Sequence, residues 1–469
     1  MSKESELIKN TAVITFGKIA TQLVSFLLLP LYTTILSTEE YGTVDLVITY
    51  SSLLLPFVTL ALEQALFRFL IDVRNDTMKC RRYISTTVIV SGILMTVFFL
   101  ILIACYFVTS NALFLYFGLV LVGSVVSAVS LQISRGLGDN LGYTLGSTIA
   151  AIVQIVCNVL FLVFFKLGAI GMMLAIFTGN MICGLVLFFR CNLIEYVKIA
   201  GFEIKTFKEL SKYSLPLIPN QLSWWALNAS DKVIVQFFIG IAGNGIIAVA
   251  NKFSGVYIQF SNIFNVSWTE SVALHISDRD AKEFISKTID SVYRLFLCAC
   301  CGIIAFMPFV FPIMIHEQYN DAYGLIPIFM LASLFNVVVS LYGVIYVAKK
   351  KTIEIAKTAI YAALINIVSH IILIGFVGIY AAALSTMIGY GCMAIYRYFH
   401  SRRYIVIKLK NTTLVCTFCM VGVSLITYYF GNKLSQFCCL MVICVISVLM
   451  NKSMLVGMIN IVKKKKVKK

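Results

Sequence analysis

Residues 79–108 read KCRRYISTTVIVSGILMTVFFLILIACYFV, and this stretch decides the fold. From Tyr83 to Val108 it holds 26 residues without a charge, directly after Arg81 and Arg82. Wound as a helix at about 1.5 Å per residue, such a run outspans the roughly 30 Å of bilayer hydrocarbon. The next charged residue is Arg135, at the end of a second apolar block over 111–134. The chain thus leaves a cationic side, crosses, turns on a few uncharged residues and returns to cations. That is a pair of transmembrane helices with its positive charge on one side.

The pattern extends over the whole chain. Its 469 residues are 60% hydrophobic and 13% charged, with mean hydropathy +0.93. Soluble domains carry about a quarter charged residues, so a soluble fold is excluded. No hydrophilic stretch is long enough for a separate catalytic domain. Apolar blocks fall at 11–36, 44–70, 83–108, 111–134, 143–165, 169–190, 213–238, 243–268, 289–313, 323–348, 355–375, 378–398, 411–430 and 434–451. They predict an all-α polytopic membrane protein of about 14 transmembrane helices.

Lys and Arg number 38 against 21 Asp and Glu, a net charge of +17. Assigned to alternate loops, 31 cations share the side of the N-terminus, and two, Lys166 and Lys433, lie on the other. One missed span would scramble every later loop. The bias therefore predicts an even span number and cytoplasmic N- and C-termini. Topology accounts for the charge, and no nucleic-acid partner is expected. The start, MSKESELIKN, leads into a span without a small-residue cleavage site, unlike a removed signal peptide.

Lys18, Lys232, Lys252, Arg294 and Lys357 lie inside or at the edge of spans, where a charge is expensive and needs a partner or a wet cavity. Asp290 and Arg294, four apart, and Glu354 and Lys357, three apart, suit helix-end salt bridges. Four spans carry polar stripes at helical spacing. Span one has Thr11, Lys18, Gln22 and Ser25; span two has Thr49, Ser52, Pro56, Thr59 and Glu63. Span seven has Asn220, Trp224, Asn228 and Asp231; span eight has Lys252, Gln259 and Asn262, with Glu270 beyond. Such faces suit a hydrated cavity shared between the halves better than lipid.

A buried ammonium can hold phosphate, which makes Lys18 and Lys252 candidate anion contacts. The bland alternative is ion pairing, Lys18 with Glu63 for example. Asp231 and Lys232 suit a local charge-compensated pair. Glu63, Asp231 and Glu270 are candidates for carrying a coupling ion or for balancing nearby cations. Gln22, Asn220, Trp224, Asn228, Gln259 and Asn262 are candidate glycan contacts. Trp224 and Trp225 can stack on a sugar or an isoprene, against the plainer reading of helix packing. All seven prolines lie in spans or at their ends, as hinges or as packing geometry.

Most of the 14 cysteines sit in apolar blocks; the pair Cys416 and Cys419 has no His or acidic neighbour and reads as buried small residues. His275, His316, His370 and His400 show no metal-ligand spacing. No metal, cofactor or catalytic residue is expected. The tail from Asn451, ending KKKKVKK, reads as a helix lying on anionic membrane lipid. A weak repeat places Tyr41-Gly42-Thr43-Val44-Asp45-Leu46 against Asn244-Gly245-Ile246-Ile247-Ala248-Val249, 203 residues on. With six spans per half, both halves insert in the same orientation.

Several segments resemble the Wzx group of bacterial polysaccharide flippases, in the multidrug/oligosaccharidyl-lipid/polysaccharide (MOP) superfamily. These are Leu36-Ser37-Thr38-Glu39-Glu40-Tyr41-Gly42, Ala65-Leu66-Phe67-Arg68-Phe69, Tyr213-Ser214-Leu215-Pro216-Leu217-Ile218-Pro219, Ser230-Asp231-Lys232-Val233-Ile234-Val235 and Gly245 to Lys252. Lys232 stands where the family has arginine, and Ile247 where tyrosine is usual.

The resemblance covers nearly the whole chain. It implies a MATE/MurJ-like fold: a six-helix lobe over 1–195, a cytoplasmic linker over 196–212 and a second six-helix lobe over 213–400. Residues 401–469 then hold two extra helices and the basic tail. It implies a flippase for an undecaprenyl-diphosphate-linked repeat unit of O-antigen, capsule or another surface polysaccharide, in the plasma membrane. Lys18, Lys252 and Arg68 would meet the diphosphate or acidic sugars. Coupling to H+ or Na+, and polymerase and chain-length proteins as partners, follow from the same likeness. The rivals are a multidrug exporter, a peptidoglycan-precursor flippase and a membrane polysaccharide polymerase. Cavity lysines and tiny external loops count against the exporter and the polymerase.

Overall fold

A computed structural model describes residues 26–198, 201–349, 351–407 and 410–452. Among them no strand occurs. The α-helices are α1 Leu29–Ile35, α2 Thr38–Val58, α3 Leu62–Val73, α4 Thr77–Thr109, α5 Leu113–Gly136, α6 Asn140–Val159, α7 Gly168–Arg190, α8 Leu193–Tyr196 and α9 Ile204–Ser214. There follow α10 Leu217–Phe238, α11 Ile241–His275, α12 Ala281–Met314, α13 Asp321–Ala348, α14 Thr352–Val377, α15 Tyr380–Ser401, α16 Asn411–Phe430 and α17 Lys433–Met450. Expected span two falls on α2 and α3, and every later span falls on one of these helices, α6 being prolonged by a π-turn over Leu160–Phe164. Of span one, only the end lies within the described residues.

Ten of the described helices are long and apolar enough to cross a membrane on length and composition alone. The exact number fourteen is not established. Three expected spans, α10, α11 and α15, miss the threshold because they carry the polar residues discussed below. Large apolar side chains such as Phe107, Phe237, Phe376 and Phe430 stand exposed on the helix flanks. Water would not tolerate so much apolar surface, and lipid covers it. The protein is a multi-pass membrane protein.

The chain divides into two compact units, Met1–Gly245 and Ile246–Lys469. In the first, α2 to α5 pack around Val58, Leu66, Ile84, Val125 and Ile133. Small residues let α6 and α7 pack tightly: a Cβ on Gly179 would lie 2.8 Å from the Ala150 carbonyl. In the second, α15 packs against α13 and α14, and α12 carries both α16 and α17. The last two helices are tied in by specific bonds. Asp290 on α12 accepts from the Lys410 N–H at 3.2 Å and the Thr413 hydroxyl at 2.8 Å. Tyr428 and Tyr429 donate to the Tyr323 and Gly324 carbonyls at 2.7 and 2.6 Å.

Two local features position the site. Span two is not one helix: α2 ends after Pro56, and Leu60 and Ala61 both adopt left-handed φ values of 51° before α3 begins. Proline removes a helical hydrogen bond and starts this break. Thr59 bridges it, donating to the Leu55 carbonyl at 2.9 Å and accepting from the Ala61 N–H at 3.2 Å. At the other end of α2, a capping box joins Ser37 and Glu40 at 3.1 and 3.0 Å. One turn on, Gly42 meets the start of α11. A Cβ on Gly42 would strike the Ile241 carbonyl, and one on Gly245 would strike the Thr38 carbonyl. Thr38 and Ile241 are 203 residues apart, as are Gly42 and Gly245. The contact therefore joins equivalent positions of the sequence repeat, each glycine against the other copy's backbone.

Candidate functional site

In the first unit, α2 and α10 enclose a charged layer. Lys232 Nζ on α10 lies 3.0 and 2.8 Å from the two carboxylate oxygens of Asp45 on α2. It also reaches Thr49 Oγ1 at 3.4 Å. Asp231 beside it is 5% exposed and accepts the Lys232 backbone N–H at 3.0 Å. Neutral bonds extend the layer: Tyr50 donates to Gln236 at 2.7 Å, and Trp225 Nε1 to the Thr49 carbonyl at 3.1 Å. Two carboxylates thus stand against one ammonium. When all are ionised the layer carries an excess negative charge, which can hold a proton or a small cation.

The structure corrects one expectation here. Lys232 pairs across helices with Asp45, not with its neighbour Asp231. A side chain cannot fold back onto the adjacent residue of a helix as easily as it reaches the facing helix. Asp45 was missed by sequence reasoning, although it sits four residues before Thr49 on the same stripe.

The remaining candidates fall in different settings. Glu63 is 3% exposed in the first turn of α3, just past the helix break, and its Oε2 has no partner among the described residues. Arg68 is exposed and bonds Asp72 at 2.7 Å. Asn220, Trp224 and Asn228 form an exposed face of α10, with Asn228 Nδ2 donating to the Trp224 carbonyl at 2.7 Å. Trp225, by contrast, is a packing residue. Lys252 and Gln259 are half-buried and Asn262 and Glu270 exposed on α11. Lys18 and Gln22 lie outside the described residues.

The second unit buries further polar groups. Arg397 is 3% exposed within α15. Its guanidinium donates to the Val339 carbonyl at 2.9 Å and to Thr358 Oγ1 at 2.8 Å, with no carboxylate partner among the described residues. His370 and Asn366, one turn apart on α14, are 0% and 1% exposed. Both His370 nitrogens and Asn366 Oδ1 are unbonded among the described residues. The pairs Asp290–Arg294 and Glu354–Lys357 form at 3.4 and 3.3 Å. An apolar cavity of about 700 Å³ lies between α12, α13, α15 and α16, with Tyr293, Phe335, Tyr342, Phe399 and Phe418 among its walls.

Outside the spans, Asp139 caps α6 through the Gly142 N–H at 2.8 Å and grips Arg190 at 2.6 and 3.1 Å. The Arg190 hydrogen bonds hold its carboxyl below the usual range. No group of three His, Cys, Asp or Glu residues able to hold a metal occurs among the described residues.

The comparisons agree with this architecture. The solved lipid II flippase MurJ, in an inward closed conformation, is similar over 96% of this chain and 100% of that one, with TM-score 0.69 and 15% identity. An inward-facing MATE family multidrug resistance transporter of the MOP superfamily is similar over 81% of this chain and 94% of that one, with TM-score 0.66 and 14% identity. A MOP superfamily transporter from Pyrococcus furiosus gives TM-score 0.53 at 16% identity, over 84% and 94% of the two chains. At such identities the likeness concerns the fold. Among curated proteins no sequence matches significantly. The family model described as "Polysaccharide biosynthesis protein" matches residues 7–269, more than half of the chain. On that match the chain belongs to the polysaccharide biosynthesis protein family, and its fold is MATE/MurJ-like.

Proposed function

We propose that this protein is a flippase, not an enzyme, that moves undecaprenyl-diphosphate-linked oligosaccharide repeat units across the bacterial plasma membrane by alternating access. The product is an O-antigen, a capsule or another surface polysaccharide. The observation that carries the reading is the family match over residues 7–269. Three features support it. The exposed Asn220, Trp224 and Asn228 give α10 a face suited to hydroxyl-rich sugars. Lys252, with Lys18 and Arg68 as further cations, suits a diphosphate. The apolar cavity of about 700 Å³ in the second unit suits a stretch of isoprenoid tail. The excess carboxylate beside Lys232, with Glu63 and Glu270 as further candidates, suits coupling to H+ or Na+. The cation bias supports cytoplasmic termini.

Drug export by a MATE-type mechanism is the second reading, favoured by the similarity to the MATE transporter. The wider coverage by MurJ, 96% of this chain against 81% for the MATE structure, supports the first reading.

The test is deletion in the native host, scoring surface glycan and lipid-linked units on each membrane face. Single repeat units trapped facing the cytoplasm are the expected result. Well-expressed Lys18→Ala and Lys252→Ala copies should fail to rescue. Single units outside but unpolymerised would sink the flippase reading in favour of a polymerase. Unchanged glycan would favour drug export.

A further inference from the structure

The first unit carries a second apolar groove that the reading above does not use. It measures about 330 Å³ and runs between α4, α5 and α7. Val88 and Met95, Val125 and Val129, and Met181 and Phe188 form its walls. Leu185, 50% exposed, marks its opening on the helix flank. Gly92 lines it too, and a Cβ there would meet no atom within 4 Å. Leu193, the first residue of the short helix α8, and Val197, which follows it, form its end on the cation-rich side.

Two cations stand at that end. Lys198 directly follows Val197. Arg81 precedes Val88 by two turns, and its Nε donates to the Glu195 carbonyl at 2.9 Å. Ser85 Oγ fastens the same segment, donating to the Tyr196 carbonyl at 2.5 Å. Neighbouring cations are committed: Arg190 to Asp139 at 2.6 Å, Lys79 to Asp76 at 3.2 Å and Arg82 to Glu203 at 3.5 Å. Arg81 and Lys198 form no ion pair among the described residues, although the exposed Glu195 lies in the same loop.

We propose that this groove is a resident site for an anionic phospholipid. One acyl chain lies along Val88–Met95, and Arg81 and Lys198 hold the headgroup phosphate. An apolar slot ending in cations without a carboxylate partner among the described residues matches a chain beneath a net negative charge, whereas the ammonium of a zwitterionic headgroup cancels the charge its phosphate brings. A polyprenyl tail fits less well, because this groove has less than half the volume of the cavity in the second unit. The site stands on the first unit alone and is independent of the glycan carried.

The test uses the full chain, purified in detergent, stripped of lipid, and returned to phosphatidylglycerol, phosphatidylethanolamine or undecaprenyl phosphate. Native mass spectrometry reads what is retained. One tightly held phosphatidylglycerol is expected. Each cation near the surface is worth about fivefold in affinity for an anionic headgroup, so the double variant R81Q/K198Q should lose roughly 30-fold of the preference over phosphatidylethanolamine. Gly92→Phe, which fills the groove, should abolish retention.

Leu185→Trp at the opening provides a second readout that leaves the core intact. Phosphatidylglycerol brominated on its acyl chains should quench the new indole more than brominated phosphatidylethanolamine does. Equal retention of both phospholipids would overturn the proposal. So would undiminished retention by a folded Gly92→Phe, or equal quenching at Leu185→Trp. A preference for undecaprenyl phosphate would assign the groove to substrate instead.

Discussion

The crossing of Gly42 with the start of α11 makes the sharpest stability prediction. A Cβ on Gly42 would crowd the Ile241 carbonyl and lie 2.8 Å from the Gly245 nitrogen. The obstacles are backbone, so no rotamer change relieves them and two helices must part. Overpacking of this kind costs about 1–3 kcal/mol, occasionally more. Helix propensity favours alanine over glycine by up to about 1 kcal/mol, which offsets part of the loss. Gly42→Ala should therefore destabilise by about 1–2 kcal/mol, and Gly245→Ala by a similar amount. The same change at Gly92, where a Cβ meets nothing within 4 Å, should be neutral or stabilising. The two crossing variants act on one contact, so the double variant should cost clearly less than their sum. Thermal unfolding of the purified protein, followed with a thiol-reactive dye on its buried cysteines, gives the four shifts. An unchanged melting temperature for Gly42→Ala, or strict additivity with Gly245→Ala, would refute the reasoning.

Other expectations follow from the buried charges. Lys232→Met should destabilise by about 3 kcal/mol, because it strands two buried carboxylates, and adding Asp45→Asn should recover part of that loss by removing one of them; a double-mutant cycle in thermal unfolding checks this. Arg397→Lys should cost about 2 kcal/mol, since an ammonium cannot reproduce the guanidinium fork to Val339 and Thr358; urea or thermal unfolding reads it. His370→Phe should stabilise by about 1 kcal/mol, because it replaces two unbonded buried nitrogens with apolar surface; a lower melting temperature would count against it. Asp139 is held below its ordinary range by Arg190, so its contribution is present above the unfolded carboxylate value and lost as pH falls through the lower folded one. Stability from this cap should be flat from neutral pH to about 5 and decline below about 4, a decline that Asp139→Asn should weaken.

Much of the fold was legible because spans announce themselves. Runs such as 83–108 have one physical solution in a bilayer, and the cations around Arg81 orient them. The helix–helix pairings were less legible. Lys232 and Asp231 are adjacent in sequence, and nothing local says that the ammonium turns to Asp45, 187 residues away. The break after Pro56 was half visible: proline marks a lost hydrogen bond, but not the two left-handed residues that follow. The glycine repeat was visible as a similarity, yet its meaning required contacts that only the folded backbone supplies.

The pairing of Asp45 with Lys232 also bears on how the protein is made. A charge at the centre of an inserting helix costs about 2.5–3.5 kcal/mol, and α10 carries two in succession. Left to itself α10 is a poor candidate for release into lipid, and it is not among the ten described helices long and apolar enough to cross a membrane. Its partner acid on α2, however, has emerged from the ribosome long before. A membrane already holding α2 offers the arriving Lys232 a counter-charge and the Thr49 hydroxyl, both prepaid by earlier synthesis. The order of the chain is thus an assembly schedule: the tolerant early helices form the site that admits the later, polar one.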